Sequence, residues 1–310
     1  MRATIVVPTR DRPGYLDVSL ASIAPQAQAL GAEIVVVLDG PDAASAAVAE
    51  RHGARVVALP APRGPNAARN AGIDAAASDL LIFVDDDVRA PARWLPALLA
   101  AADATPERDV FTGPIRALLE GGGPRSCGRD APPITAFDAG PADTDVPLAW
   151  SANIAIRRAA FETAGRFDES IPVGGDEEEW EERHRAAGGR IRYVAAASLD
   201  HRRTAADATL RALARAAYHR GRAGRRTDLR KGVAPSLARE LRTFAGCCWH
   251  VPRRLCLNGV VMAAHSAGRI RESLAQRARS RRENPPRKPS PPGAGSPAPS
   301  RRATPSSDRG

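Results

Sequence analysis

Short apolar runs alternate with stretches of helical spacing over the first 90 residues of the chain. The apolar runs are rich in β-branched residues and stop at proline or aspartate, which is typical of buried strands. The stretches between them repeat apolar or alanine positions every three or four residues, as amphipathic helices do. The predicted strands are residues 4–7, 34–38, 55–59 and 80–84, and the predicted helices are residues 14–30, 43–52 and 65–77.

This alternation predicts an α/β fold in which a mostly parallel sheet carries helices on both faces. Ligands of such sheets bind beyond the carboxyl ends of the strands. Residues 8–12, 39–42 and 85–87 are polar segments that directly follow predicted strands. We therefore expect the functional site to be built from these three segments.

The rest of the chain is less regular. Residues 120–146 are rich in Gly, Pro and Asp and predict a long loop. Arg-rich helices with breaks near Pro235 and Pro252 are predicted over residues 207–282, and residues 283–310 are predicted to be disordered. Strands are also predicted at residues 150–158 and 190–194, and helices at residues 158–164 and 176–187.

Three consecutive carboxylates, Asp85, Asp86 and Asp87, follow the fourth predicted strand. Adjacent carboxylates repel one another unless a cation neutralises them. Oxygen ligands of this kind, completed by substrate phosphates, suit Mg²⁺ or Mn²⁺. The alternative is an acidic turn that caps the next helix, since Asp is a good N-cap residue.

Two further motifs are candidates for binding and catalysis. Residues 63–72 predict a helix that begins at Gly-Pro and approaches an anion closely, with Arg69 adding a charge-assisted contact, or a helix packed tightly through its alanines. Residues 176–182 predict an acidic helix, whose first acids favour the helix dipole. Its acids continue past the first turn, however, and a carboxylate close to other acids suits a general base.

In order along the chain, these motifs resemble the family 2 glycosyltransferases of the GT-A fold, a Rossmann-like nucleotide-diphospho-sugar transferase fold. The resemblance extends over residues 3–203. The motifs that carry it are IVVPTRDR at residues 5–12, IVVVLDG at 34–40, NAARNAG at 66–72, FVDDD at 83–87, SANIAIRR at 151–158 and GRFDE at 165–169. It implies a catalytic domain over residues 1–205, while composition predicts an Arg-rich helical extension over 206–282 and a disordered tail over 283–310.

The resemblance also implies roles for individual residues. Those implied to bind the nucleotide sugar are Pro8, Thr9, Arg10, Asp39, Arg69, Asp85 and Asp86, with Asp39 facing the base. Asp87 is implied as the principal metal ligand, assisted by Asp85 and His201. The acceptor side is predicted to include Asn153, Trp150 and Trp180, although a core position is favoured for either tryptophan.

The implied reaction is inverting sugar transfer from a nucleotide-diphosphate sugar, a UDP-sugar being favoured, to an acceptor hydroxyl with the help of Mn²⁺ or Mg²⁺. The catalytic base is Glu177 or Asp176. The family's Glu-Asp order is swapped here, so both stay open and Glu177 is favoured. Leu38 stands where many members carry an Asp, which leaves the nucleotide open.

The net charge of +10 is unevenly distributed. Residues 1–210 carry −8, residues 211–282 carry +15 and residues 283–310 carry +3. A nucleic-acid partner is not expected, because the N-terminal two thirds is acidic and aromatic residues make up only 4% of the chain. The remaining alternatives are an inactive sugar-nucleotide-binding homologue and a nucleotidyltransferase, which also need a phosphate and metal site.

The Arg-rich segment has two interpretations. Residues 255–267 are apolar and flanked by arginines, which fits an interfacial helix on an anionic membrane. Alternatively, they pack on the catalytic domain and the arginines are solvated. Docking to a lipid-linked acceptor belongs to the first interpretation. The acceptor itself stays open among a lipid-linked compound, a cell-envelope glycan and a secondary metabolite.

Neither a signal peptide nor an apolar window long enough to span a bilayer is recognised. We therefore expect a cytoplasmic protein, with the inner face of the plasma membrane as its site under the membrane hypothesis. Cys247, Cys248 and Cys256 cluster near His250 and His265. Their spacing is not that of ordinary zinc sites, so free thiols are expected.

Overall fold

The computed structural model describes residues 2–128, 133–171 and 176–283. Met1–Ser273 belong to one compact unit, and Leu274–Gly310 to a second. The strands are β1 (Thr4–Thr9), β2 (Glu33–Leu38), β3 (Arg55–Ala58), β4 (Leu80–Phe83), β5 (Val88–Arg89), β6 (Val110–Thr112), β7 (Ile115–Leu119), β8 (Thr144–Val146), β9 (Ile154–Arg157), β10 (Ile191–Tyr193) and β11 (Leu199–Arg203). The helices are α1 (Pro13–Leu30), α2 (Ala43–Arg51), α3 (Pro65–Ala75), α4 (Trp94–Ala104), α5 (Arg158–Ala164), α6 (Asp176–Ala186), α7 (Leu210–Arg230), α8 (Leu237–Arg254) and α9 (Asn258–Glu283).

The central sheet has eight strands in the order β3-β2-β1-β4-β9-β6-β10-β8. Strands β3, β2, β1 and β4 run parallel, whereas β9 is antiparallel to both of its neighbours and β8 is antiparallel to β10. The carboxyl ends of β1, β2 and β4 consequently meet at one edge of the sheet. That edge is where the three polar segments begin.

Alternating strand residues separate two apolar cores. Ile5 and Val7 of β1 face a core with Leu16 and Leu20 of α1, and Val6 faces the opposite core. Two helix starts reflect local chemistry, since α1 and α3 both begin with proline, whose fixed φ suits a first helical position. Helix α3 lies so close to the sheet that a Cβ on Gly72 would meet Val6 Cγ1 at 2.3 Å.

A second, three-stranded sheet in the order β5-β11-β7 lies beside the edge of the functional segments. Strand β11 pairs with β5 directly after the acid triplet, with His201 opposite Val88. The C-terminal helices pack by close backbone contact. A Cβ on Gly221 of α7 would meet His265 O at 2.0 Å, and one on Gly268 of α9 would meet Tyr218 O at the same distance.

The structure confirms the first four predicted strands and the three helices between them. It also confirms the predicted helices at α5 and α6 and the predicted strand at β10, all to within three residues at each end. Three expectations are corrected. Residues 151–153 form a 3₁₀ turn before β9 instead of extending the strand, and part of the predicted loop pairs with β10 as β8. Pro252 lies inside α8, and the chain turns only at Leu255. The predicted disordered tail lies almost entirely outside the described residues.

Candidate functional site

The loop after β1 is held against the acid triplet. Thr9 Oγ1 donates a hydrogen bond to Asp86 Oδ2 at 2.7 Å, and Arg12 Nη1 lies 2.6 Å from Asp86 Oδ1. Burial raises the pKa of Asp86 to about 7, because desolvation of the carboxylate outweighs the charge of Arg12. Asp86 therefore points beneath the site and fixes the loop. Arg10 is exposed and contacts Asp11, which has φ +54°.

Asp87 is almost completely buried and is surrounded by cations. Its Oδ2 lies 2.7 Å from Arg12 Nη2 and 2.5 Å from Arg203 Nη1, and its Oδ1 lies 3.1 Å from His201 Nε2. Burial favours the neutral acid, but His201, Arg203 and Arg12 together hold the pKa of Asp87 well below its usual range. Asp87 is thus an ionised carboxylate inside the protein.

His201 reaches Asp87 because strand β11, which carries His201, pairs with the backbone at and directly after Asp87. Arg202 N donates to Asp87 O at 2.8 Å, and the other imidazole nitrogen of His201 lies 3.2 Å from Thr135 O. Although burial opposes protonation, the hydrogen bond and charge of Asp87 raise the pKa of His201. The imidazole is therefore oriented by one contact on each side.

Asp85, Asp87 and His201 each offer a ligand atom, and these atoms all lie within 4.8 Å of one another. Two carboxylates and an imidazole form a donor set that suits Mn²⁺ or Mg²⁺, and Mn²⁺ accepts the nitrogen more readily. The two guanidinium groups contact Asp87 through Oδ2 alone. The residues present thus fit a divalent ion. Arg12 and Arg203 also balance the negative charge of Asp87.

The other predicted nucleotide-binding residues have defined partners in the fold. Both oxygens of Asp39 accept the backbone N–H of Gly64, and Oδ1 also accepts that of Arg63 at 2.6 Å. Arg69 is buried, and its guanidinium donates to Asn66 Oδ1 and to Ser151 Oγ at 2.7 Å. Asp39 therefore shapes the turn into α3. Pro8 lies in β1 opposite Val37.

The predicted acceptor residues fall in two different environments. Asn153 is fully buried between Trp94 Nε1, which donates to it at 2.8 Å, and Ala197 O, which it donates to at 2.9 Å. Trp180 is also fully buried and donates to Gly165 O. Trp150 is half-buried, with its ring centroid 4.7 Å from that of Phe137. Only Trp150 of these three retains a solvent-accessible face.

A cavity of about 480 Å³ lies against Trp150. The segment that carries Thr135, the partner of His201, forms part of its wall, and helices α7 to α9 form the rest. Most of the lining is apolar, with Arg220 and His265 among its polar groups. The cavity therefore lies next to Thr135, the contact of His201, and is bounded by the Arg-rich helices.

The acidic helix contains carboxylates with unlike surroundings. Glu177 is half-buried in the first turn, while the side chain of Asp176 and the preceding Gly174 and Gly175 lie outside the described part of the chain. Glu181, one turn further on, is fully buried and accepts Ala149 N at 3.1 Å. Burial, reinforced by the charges of nearby glutamates, raises the pKa of Glu181 to about 9.

Sequence reasoning missed two cations and a tyrosine at this site. Arg12 stands in the first motif, but the resemblance implies no role for it, and Arg203 follows His201 by two positions on β11 without any motif of its own. Tyr15 packs under the Arg12 guanidinium at 4.2 Å from its ring centroid and accepts Thr204 N at 3.0 Å. A signal for the arginines was the surplus of adjacent carboxylates, which requires cations from elsewhere in the chain.

Comparisons with known proteins bear on the family and the fold of this chain. The model of the family described as Glycosyl transferase family 2 matches residues 4–165. The pre-mycofactocin glycosyltransferases of two Mycobacterium tuberculosis strains are 30% identical over 211 residues, which is 64% of this chain and 43% of each relative. The chain thus spans less than half the length of these curated relatives.

Two solved structures share the fold at low sequence identity. GalNAc-T7, crystallised with UDP, GalNAc and Mn²⁺, is 16% identical with a TM-score of 0.53, over 71% of this chain and 48% of that one. Residues 1–349 of Staphylococcus aureus TarS in complex with UDP are 18% identical with a TM-score of 0.50, over 89% of this chain and 92% of that one. The predicted GT-A fold is confirmed. In the described residues, no helix has the length and apolar character needed to cross a membrane.

Proposed function

Because the chain belongs to glycosyl transferase family 2, we propose that it transfers a sugar from a nucleotide-diphosphate sugar, a UDP-sugar first among them, to an acceptor hydroxyl with inversion. The observation that carries this proposal is the convergence of Asp85, Asp87 and His201 at the carboxyl edge of a parallel sheet. Nucleotide ligands bind at this edge in open α/β sheets.

Asp87 and Asp85, with His201, would hold a Mn²⁺ or Mg²⁺ ion. Such an ion supplies Lewis-acid neutralisation of the charge that builds on the leaving diphosphate. The protein's own cations act in the same place, since Arg12 and Arg203 lie within hydrogen-bond distance of Asp87. Their guanidinium groups are suited to bidentate recognition of phosphate oxygens.

The general base in this proposal is a carboxylate of the first turn of α6. Glu177 is half-buried, which leaves it accessible to a substrate while partly desolvated. It accepts the proton of the acceptor hydroxyl at a carboxylate oxygen, and the hydroxyl oxygen then attacks the anomeric carbon from the face opposite the leaving group. Asp176 is the other candidate. Proton transfer of this kind contributes about 10²–10⁴ in rate.

The acceptor fits the cavity beside Trp150 better than a site around Asn153 or Trp180. Trp150 borders the cavity and retains exposure, whereas the other two residues are fully buried. The mainly apolar wall suits an acceptor with an apolar portion, which favours a lipid-linked or secondary-metabolite acceptor over a purely polar glycan. Arg220, at the same wall, suits an acidic group on that acceptor.

Peripheral contact with an anionic membrane is proposed through α8. Trp249 and Leu241 expose 66% and 49% of their surface, and Arg242 and Arg253 are exposed on the same helix. The segment 255–267 is the weaker candidate, because Val261 within it is buried against Leu213 and Ala217 of α7. Co-sedimentation with phosphatidylglycerol vesicles should fall for Trp249→Ala, and equal pelleting with neutral vesicles would contradict an electrostatic attachment.

The experiment that tests the proposed function combines binding and turnover. UDP-sugars with and without Mn²⁺ should raise the melting temperature of the full chain, because a ligand that binds the native state stabilises it by mass action. The stabilised donor is then incubated with hydrophobic hydroxyl acceptors, and UDP release and glycosylated product are measured. Absence of any shift with every nucleotide sugar would refute the donor site.

An inactive sugar-nucleotide-binding homologue is the second candidate function. It is favoured by the present charge balance, in which Arg12, Arg203 and His201 already neutralise Asp87. This alternative predicts stabilisation by nucleotide sugar that is independent of Mn²⁺, with neither hydrolysis nor transfer. Metal-dependent product formation would exclude it.

A further inference from the structure

Three soft side chains from distant parts of the sequence meet away from the acid triplet. Cys127, His250 and Cys256 each present a ligand atom, and these three atoms lie within 4.8 Å of one another. Cys127 Sγ lies 3.3 Å from His250 Nε2. No pair of them has the short spacing of an ordinary zinc motif, which is why sequence spacing favoured free thiols.

The fold brings these groups together at the turn between α8 and α9. His250 lies in the last turns of α8, and the helix ends at Leu255 in the left-handed conformation with φ +48°. A left-handed conformation is unfavourable for leucine, so the packing around Leu255 must hold the chain reversal in place. The next N–H, that of Cys256, donates to Val251 O at 3.2 Å, which turns the Cys256 side chain back toward the helix.

The third group comes from the connection that follows β7. Asn258 N donates to Arg125 O at 3.2 Å, so the backbone beside Cys127 is fixed to the start of α9. Cys256 is buried, and Cys127 and His250 are half-buried. The cluster thus has a buried floor and a side open to solvent, which suits entry of an ion.

We propose that Cys127, His250 and Cys256 form a second metal site that takes Zn²⁺, separate from the carboxylate site of the proposed transferase reaction. Thiolate and imidazole are preferred ligands of zinc, whereas the oxygen-rich triplet suits harder ions. Three protein ligands leave the fourth tetrahedral position to water. Each bound ion replaces the protons of two thiols, so binding releases two protons and weakens as pH falls.

A metal at this site would fasten the connection after β7 to the helical part of the molecule. The same connection carries Thr135, which contacts His201 and borders the cavity beside Trp150. The proposed ion therefore acts structurally, by holding one wall of that cavity. This role does not depend on whether the chain transfers a sugar, because the three ligands do not line the acid triplet.

Cobalt is the probe that separates the two metal sites. The reduced, chelator-stripped full chain is titrated with Co²⁺ and read by thiolate-to-cobalt charge-transfer absorption, to which carboxylate and imidazole ligands do not contribute. We expect saturation at one equivalent, loss of at least half of the band in each of Cys127→Ser and Cys256→Ser, loss of the whole band when both are replaced, and full retention in Cys248→Ser. Cys248 is the matched control. It is exposed on α8, the helix that carries His250, and it lies outside the cluster.

A second readout protects the result against misfolding. Each variant is first melted without metal, and the shift that Zn²⁺ produces is measured against that variant's own metal-free melting temperature. Zn²⁺ should then raise the melting temperature of the wild type, Cys248→Ser and Asp87→Asn, but not of Cys127→Ser, Cys256→Ser or His250→Gln. A thiolate band absent from the wild type, or present and unchanged in both cluster cysteine variants, would overturn the proposal. Asp87→Asn that binds and turns over a nucleotide sugar as well as the wild type does would refute the proposed function without affecting this site.

Discussion

Two acidic runs, one at the end of β4 and one in α6, place carboxylates inside the protein by opposite means. Asp87 is ionised because Arg12, Arg203 and His201 surround it. Glu181 is equally buried, yet its described surroundings supply a single backbone N–H to one oxygen, and its other oxygen has no hydrogen-bond partner. Its pKa of about 9 keeps it protonated at neutral pH.

The difference shows that a carboxylate's function depends on the cations that the fold brings to it, and not on the acidity of its sequence neighbourhood. A buried charge requires paired partners, and a buried acid without them neutralises itself. The β4 run is therefore suited to binding an ion and phosphates. The described acids of the α6 run are the half-buried Glu177, Glu178 and Glu179, the exposed Glu182 and the neutral, fully buried Glu181.

The largest effect is expected from removing the charge of the ionised run. Asp87→Asn should lower transferase activity by about a thousandfold or more, because it removes a metal ligand worth several kcal/mol and leaves two arginines without their counter-ion. Turnover is measured with saturating Mn²⁺ and UDP-sugar. Asp103→Asn, at an exposed carboxylate paired with Arg2, is the control and should keep full activity. Full activity of Asp87→Asn would refute the assignment.

The next effect distinguishes the acids of α6 from one another. Glu177→Gln should lower kcat about a hundredfold while KM for the donor changes little, since a general base acts mainly in the transition state. Glu178→Gln is the matched control, because Glu178 pairs with Lys231 at the outer surface. A larger loss for Asp176→Asn than for Glu177→Gln would transfer the role of base to Asp176.

The position of the site at the carboxyl edge of the sheet was predictable from the sequence. The side-chain contacts at that edge were predictable only in part. Apolar runs ending at Pro8, Asp39 and Asp85 fix where parallel strands stop, and parallel strands end at one edge by geometry. The family resemblance added His201, whose convergence with Asp85 and Asp87 the structure now provides.

The orientation of individual side chains was not predictable. Asp86 turns inward to Thr9 and Asp87 turns toward Arg203, although the two are chain neighbours. Trp180 is buried, as the favoured core position predicted, but its acidic flanks do not indicate that its partners are Phe161 and Phe167. These outcomes depend on residues more than ten positions away, so local pattern contains no information about them.

Glu181 gives a stability effect that depends on pH. Its folded pKa of about 9 exceeds its unfolded value, so between these two pKa values the native state binds one more proton than the unfolded state and loses stability as pH rises. Glu181→Gln mimics the neutral acid and should remove this slope, which is at most about 1.4 kcal/mol per pH unit. Urea unfolding at pH 6 and 8 measures it. Glu182→Gln, at an exposed position, is the control, and parallel slopes for wild type and Glu181→Gln would contradict a neutral Glu181.

The smallest effect belongs to the exposed acids of the same helix. Lys231 Nζ lies 2.6 Å from Glu178 and 2.7 Å from Glu182, and all three side chains reach solvent. Lys231→Met keeps the aliphatic stem and should lower the free energy of unfolding by less than about 1 kcal/mol, because exposed ion pairs gain little against solvation. Urea unfolding at low salt and at about 1 M NaCl tests this, since screening should abolish the difference. A loss that survives high salt would mean that Lys231 acts through packing. In that case Glu178 and Glu182 do not represent solvent-exposed acids, and their ion pairs with Lys231 are not a valid comparison for the buried Asp87 and Glu181.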